Sequence, residues 1–310
     1  MKSRPLFFKT LCLLVVLPTT GCLLRSRRVE PRVNSQPLKS ATQAELVDYV
    51  NTEAARIHSM RATVNIDASV GGEKKGKITD YEEIRGYVLV RKPAMLRMKG
   101  LLPVVRTTAF DMVSNGNIFK LWIPPKNRFI EGRNNVDTPN IAQPLENMRP
   151  QQIYDALLLP QIQQQGEIAV VENGSEHGRD AKGRQIEQAD YVLHIIRNTG
   201  HGYHLDRNII FSRIDLLPHQ QVIFDENNNV VTDVRYQAYK DFDGANFPSQ
   251  IEIWRPQEEY DITLHIVKLE LNLTLADDDF QLAQPSGAQV LHLDQPQSTT
   301  AQHSGNSGMN

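Results

Sequence analysis

Few side chains in this sequence are spaced for chemistry, and most of those few fail on inspection. His201-Gly202-Tyr203-His204 places two imidazoles at a spacing that could hold a metal ion on a helix. Its glycine disfavours that helix and no cysteine stands nearby, so it reads as a loop leading into a strand. Asp277-Asp278-Asp279 could attract calcium but lacks the alternating ligands and the glycine of a binding loop, so it reads as a solvated turn. No Gly-x-Ser-x-Gly elbow, phosphate loop or dinucleotide fingerprint occurs. A non-catalytic protein without metal or cofactor is therefore the expectation, and a hydrolase would have to rest on scattered residues. What remains is sulfur, because Cys12 and Cys22 are the two cysteines of the chain.

Lys2, Arg4 and Lys9 precede the apolar run Leu11 to Leu17, and Thr19-Thr20-Gly21 leads into Cys22, the layout of a secretory signal with a cleavage site. The run is too short to span a bilayer. A small-small-Gly-Cys ending resembles the lipobox of bacterial lipoproteins, although Thr19 stands where that pattern prefers Leu. The resemblance implies that residues 1–21 are removed and that Cys22 is acylated as the mature first residue. Cys12 leaves with the signal, so Cys22 has no partner for an internal disulfide and acylation gives the lone thiol a use. Two or three long chains, at about 0.8 kcal/mol per buried methylene, anchor far more firmly than one myristoyl group. If Cys22 is not processed, the same body is a soluble periplasmic protein.

The 310 residues are 40% hydrophobic and 23% charged with formal net charge -2, and loss of the signal leaves 31 basic residues against 36 acidic. No basic stripe with interleaved aromatics occurs, which argues against a nucleic-acid partner. Arg25, Arg27 and Arg28 follow Cys22, either as a solvated tether or in weak attraction to anionic headgroups. Residues 22–41 read as the acylated cysteine and a flexible tether, 42–293 as one folded body, and 294–310 as a disordered tail poor in core-forming residues.

Thr42-Gln43-Ala44-Glu45 is a capping box, and Leu46, Val50, Ala54 and Ile57 recur at helical spacing, which predicts a helix of about four turns. Ala62, Val64, Ile66, Ala68 and Val70 then alternate with polar residues, the period of a half-buried strand. Further strands are predicted throughout the rest of the body, joined by turns such as Asn115-Gly116 and so paired antiparallel. Met148-Arg149-Pro150 opens a short amphipathic helix that Pro160 stops. In the last long strand Ile262, Leu264 and Ile266 share one parity while Val267, Leu269 and Leu271 share the other, which predicts a bulge or bend near Ile266-Val267. Bends of this kind let a sheet curl. The expected fold is α+β: a single, highly curved antiparallel sheet forming an unclosed β-barrel, with an N-terminal helix and a mid-chain lid helix.

That organisation resembles the LolA/LolB family of lipoprotein carriers and receptors, whose fold is an unclosed barrel lidded by helices. Leu96-Arg97-Met98-Lys99-Gly100-Leu101-Leu102-Pro103, followed by Phe110 and Asn115-Gly116-Asn117, is similar to the receptor branch. Tyr236, Asn246 to Ile253, Leu269 to Leu275 and Phe280 are similar to the closing strands of LolA-like lipoproteins. A curled sheet this large cannot fill its concave side completely, so a cavity for acyl chains is expected. Its candidate lining is Val64, Ile66, Leu89, Met95, Leu96, Met98, Phe110, Met112, Phe119, Leu121 and Trp122, each of which could instead pack a core. The resemblance implies that the apolar loop at Leu101 and Leu102 helps place cargo in the membrane, while folding back onto the sheet is the alternative. It further implies an outer-membrane lipoprotein facing the periplasm of a Gram-negative envelope. Such a protein binds the acyl chains of a lipid or lipoprotein and exchanges them with a membrane or a periplasmic carrier. An envelope sensor or protein-interaction module on the same fold is the second reading.

Overall fold

A computed structural model of the chain describes residues 37–135, 144–179 and 185–294. The expected signal, Cys22 and most of its tether, and the tail beyond Asp294 lie outside those residues. One compact unit comprises Gln36–Glu176 and Gln188–Asn310, and His177–Glu187 falls in a second.

The first helix, α1 (Gln43–Arg56), opens with the capping box expected of it. Thr42 Oγ1 accepts from the Glu45 amide at 3.3 Å and Glu45 accepts from the Thr42 amide at 2.7 Å, so two N–H groups that the helix cannot satisfy are used. Its buried face, Leu46, Val50 and Ala54, follows the helical period of the sequence.

Fifteen strands follow: β1 (Ser59–Gly72), β2 (Lys77–Asp80), β3 (Ile84–Arg91), β4 (Met95–Leu101), β5 (Thr108–Ser114), β6 (Ile118–Ile123), β7 (Arg128–Arg133), β8 (Glu167–Arg179), β9 (Gln185–Asn198), β10 (Tyr203–Ser212), β11 (Pro218–Phe224), β12 (Val230–Phe242), β13 (Ala245–Arg255), β14 (Tyr260–Leu271) and β15 (Gln289–His292). They form one sheet in the order β15-β7-β6-β5-β4-β3-β1-β14-β13-β12-β11-β10-β9-β8, with β2 paired to the end of β1. Two meanders thus flank a central β1–β14 pair. Pairing from β7 to β9 is antiparallel, and β15 joins in parallel against β7. The sheet ends β15 and β8 do not meet, so the barrel stays open.

Curvature has a local cause at the centre. Thr63 pairs with Lys268 and Val64 with Ile266, which leaves Val267 as an unpaired extra residue. Val267 is exposed while Ile266 and Leu269 on either side of it are buried, so the bulge sits where the sequence changes parity.

The second helix, α2 (Pro150–Leu157), lies against the concave side. Ile153, Tyr154, Ala156 and Leu157 pack with Val64, Val90, Leu96, Met112, Phe119, Val234, Ile251 and Leu264 in one core. Tyr154 donates to the Pro93 carbonyl at 2.7 Å, and Tyr260 of β14 donates to Gln152 at 2.9 Å, so both hydroxyls are satisfied where they are buried. A second core packs Leu46 and Val50 of α1 on Leu193, Ile195, Ile209 and Phe211 of β9 and β10, with Tyr49 edge-on to Phe211 at 5.7 Å. An open, strongly curved antiparallel sheet with helices against it is the architecture that the LolA/LolB resemblance implies. β2 and β15 are four residues each, too short to show a period in the sequence.

Candidate functional site

Strands β1 and β3 to β6 each send alternate side chains to the concave face, and along them this face divides into two bands. Val64, Leu96, Met112 and Phe119 form one band, fully buried beneath α2. Two residues away on the same strands, Ile66, Met98, Phe110 and Leu121 form the other, of which Ile66, Met98 and Leu121 are buried and Phe110 is half-buried. This second band lines a cavity of about 720 Å³, closed further by Val70, Ile84, Leu102, Pro103, Ile123, Leu145, Met148 and Ile262. Its volume falls in the range of about 300–1,000 Å³ common to ligand sites, and its wall is apolar with a few polar groups. Leu89, Met95 and Trp122 are half-buried with the opposite parity and face the convex side. The predicted lining therefore separates into cavity wall, packed core and outer face.

Two glycines outside the predicted lining shape this wall. Gly86 of β3 and Gly100 of β4 are directly paired across the ladder. A Cβ on Gly86 would meet Ile66 Cδ1 at 2.5 Å, and one on Gly100 would meet Phe110 Cε1 at 2.5 Å and Ile84 Cδ1 at 2.6 Å. The bare backbone lets three large apolar side chains lie flat on the sheet, which leaves the space above them open. A glycine inside a strand pattern is the signal that would have flagged both positions.

At the mouth, the segment after β4 closes on itself. The Leu102 amide donates to the Thr107 carbonyl at 2.7 Å, and the Arg106 amide to the Leu102 carbonyl at 3.0 Å. Leu101 ends β4 half-buried, and Leu102 and Pro103 turn in to line the cavity. The residues that project are the next two: Val104 is 98% exposed and Val105 is 65% exposed. Val104 has φ 61° and Arg106 has φ 52°. A left-handed β-branched residue costs roughly 1–3 kcal/mol, so the closed loop holds this valine outward against its own preference.

Polar groups border the rim. Glu146 is buried and accepts from Lys126 at 2.8 Å and also from Arg128. Lys75, Lys77 and Glu82 share the rim. A separate cavity of about 710 Å³ lies among Ala54, Gln151, Asp155, Glu167, Arg197 and Arg207. Its charges are largely matched to one another: Arg207 donates to Asp206 at 2.6 Å, and Arg197 reaches Glu167 at 3.1 Å and Asp206 at 3.0 Å. Burial raises the Glu167 carboxyl, but the Gln163 amide and the two arginines outweigh it and hold the group below the ordinary carboxylate range. Asp155 is the exception. Burial pushes its carboxyl up to about 6 against a hydrogen bond from Gln151.

His201 lies in a turn and His204 on β10, 3.9 Å from Asp206. Among the described residues no group of three or more His, Cys, Asp or Glu could hold a metal ion. In the aspartate run, Asp277 pairs with Arg91, and the Asp279 carbonyl accepts from Arg97 at 3.0 Å. Among the described residues no helix is long and apolar enough to cross a membrane.

The fold and site together define an open-barrel protein with an apolar cavity and an apolar projection at its mouth. No protein-family model matches the sequence, and no curated protein matches it. Among solved structures the chain is similar to a LolA superfamily protein from Nitrosomonas europaea, at 12% identity over 78% of this chain and 99% of that one with TM-score 0.47. It is similar also to a DUF1329 family protein from Desulfovibrio piger, at 13% identity over 77% and 95% with TM-score 0.46. A third likeness is to a domain assigned to outer membrane lipoprotein sorting from Vibrio parahaemolyticus, at 12% identity over 77% and 97% with TM-score 0.43.

Proposed function

We propose that this chain is an envelope lipoprotein that takes up acyl chains in its cavity and exchanges them with a membrane, without covalent chemistry. The observation that carries the reading is the second band of the concave face, where Ile66, Met98, Phe110 and Leu121 border about 720 Å³ of largely apolar space. An acyl chain entering it exchanges contact with water for contact with side chains, at about 25 cal/mol per Å² removed. Met98 and Phe110 suit chains of varied shape, since a thioether adapts and a ring offers area at little entropic cost. In this reading Cys22 carries the acyl anchor on the periplasmic side of the outer membrane. The loop from Leu101 to Val105 meets the bilayer, and a periplasmic carrier supplies or receives the cargo.

Ala68 lies on β1 within the cavity wall, partly buried against the core, and its replacement by tryptophan puts bulk into the cavity. Mass spectrometry of organic extracts of the purified full chain is expected to find bound long-chain lipid, reduced several-fold in Ala68→Trp at unchanged circular dichroism. Equal lipid in both proteins would remove the cavity from the account. Metabolic labelling with a fatty-acid probe tests the anchor, and retention of the label in Cys22→Ser would exclude acylation at that residue.

A further inference from the structure

The hairpin from β1 to β2 stands outside the main strand order and contributes Lys75, Lys77 and Thr79 to the cavity lining. The connection is fixed from below by Glu259. The Glu259 carboxylate is buried and accepts from the Lys74 amide at 2.6 Å and the Lys75 amide at 3.2 Å, while its carbonyl accepts from the Gly71 amide at 2.7 Å. Glu259 itself adopts φ 54°, a left-handed conformation costly for a residue with a side chain. A strained, buried carboxylate thus preorganises a loop that carries lysines. Lys74 donates to the Gln257 carbonyl at 2.7 Å. Lys75 and Lys77 have no ion-pair partner among the described residues, and both line the cavity. Of the rim acids, Glu146 is already shared by Lys126 and Arg128, which leaves Glu82 against the two lysines.

We propose that the ligand is an anionic amphiphile whose chains occupy the cavity and whose carboxylate or phosphate is held by Lys75 and Lys77. The proposal rests on the acyl-binding reading and narrows it: an acylated protein amino terminus offers apolar chains but no anion at the junction between chain and head, whereas a fatty acid or an acidic phospholipid does. Neighbouring cations stabilise an anion at the edge of a low-dielectric space more than in bulk water, and added salt weakens that attraction.

The test uses the full chain and a conjugated, fluorescent C18 fatty acid alongside its methyl ester, with the double variant Lys75→Gln/Lys77→Gln. Lys77 is exposed and Lys75 half-buried, and neither belongs to a packed core, so the variant keeps its fold. The acid is expected to bind more tightly than the ester and to lose roughly five- to tenfold in affinity in the double variant, while the ester is unaffected. Equal binding of acid and ester, with the double variant changing neither, overturns the headgroup site and leaves the cavity standing. Binding of neither probe overturns the acyl-binding reading and this inference with it. Displacement of the acid by phosphatidylglycerol but not phosphatidylcholine, lost in the double variant, assigns a phospholipid source. Displacement only by other fatty acids assigns the carboxylate source.

Discussion

Asp155 shows what a single residue contributes against the fold. It lies on α2 beside the charged pocket, and burial, the largest cause, raises its carboxyl to about 6 despite the Gln151 hydrogen bond and the nearby Arg207 and Arg197. The folded protein therefore holds a proton on Asp155 in a range where the unfolded chain has released it, between an aspartate's ordinary value of about 3.8 and about 6. Its contribution is most favourable below that window and is lost as pH rises through it. Asp155→Asn is expected to stabilise the protein by roughly 1–3 kcal/mol near pH 7 and by little near pH 4, since each tenfold change in proton affinity corresponds to about 1.4 kcal/mol. Urea denaturation of both proteins at the two pH values reads this directly, and a gain independent of pH would refute the titration. The residue was not legible in advance, because its neighbours Arg197, Asp206 and Arg207 come from β9 and β10, about forty to fifty positions away in sequence. The cavity residues were legible only by type. Alternation selects Ile66, Met98, Phe110 and Leu121 for the concave face, but the same alternation selects Val64, Leu96, Met112 and Phe119. Only the packing in three dimensions shows which four border the cavity.

Among the elements, the chain after β14 secures the convex side of β3 to β7. Arg97 of β4 grips the buried Asp111 of β5 with two hydrogen bonds of 3.0 and 2.7 Å and donates a third to the Asp279 carbonyl at 3.0 Å. The bond to Asp111, the largest influence on it, holds the Arg97 guanidinium above its ordinary pKa. Arg91 meanwhile stacks on Phe280 at 5.1 Å and pairs with Asp277. These contacts lead the chain to β15 and its parallel seat on β7. Arg97→Ala leaves a buried carboxylate without its cation and frees the Asp279 carbonyl, at an expected cost of about 2–4 kcal/mol in urea unfolding. Because most of that cost is the stranded charge, Arg97→Ala/Asp111→Ala is expected to recover part of it, and a double-mutant cycle measures the share. Additive losses would show that the pair is not coupled. Much at this scale was readable from the sequence. The Thr42–Glu45 box announces α1, Pro150 announces α2, and the change of parity at Val267 announces the bulge, since each is a local signal with a local cause. The clamp was hidden because Asp277-Asp278-Asp279 reads as a solvated turn until Arg91 and Arg97 arrive from strands nearly two hundred residues earlier.

For the molecule as a whole, the proposed exchange with a membrane requires a surface that enters the bilayer, and the loop after β4 is the candidate. Two of its residues, Leu102 and Pro103, belong to the cavity wall, while the next two, Val104 and Val105, stand out in solvent. The loop is thus continuous with the cavity on one side and apolar toward the outside on the other, and its left-handed Val104 and Arg106 hold that arrangement. Burying a valine side chain contributes about 1.5 kcal/mol, so insertion of both tips offers on the order of 3 kcal/mol before the cost of ordering is met. Val104→Glu/Val105→Glu removes this gain and sets two carboxylates against the headgroups, without altering the cavity wall. Transfer of a fluorescent acyl ligand from the protein to phospholipid vesicles is expected to slow by roughly tenfold or more, while the affinity for that ligand in solution stays unchanged. Unchanged transfer would assign the exchange to free diffusion of the ligand, and a loss of affinity in solution would place the two valines in the binding site itself. The separation of these two readouts is what distinguishes a protein that delivers its ligand to a membrane from one that only stores it.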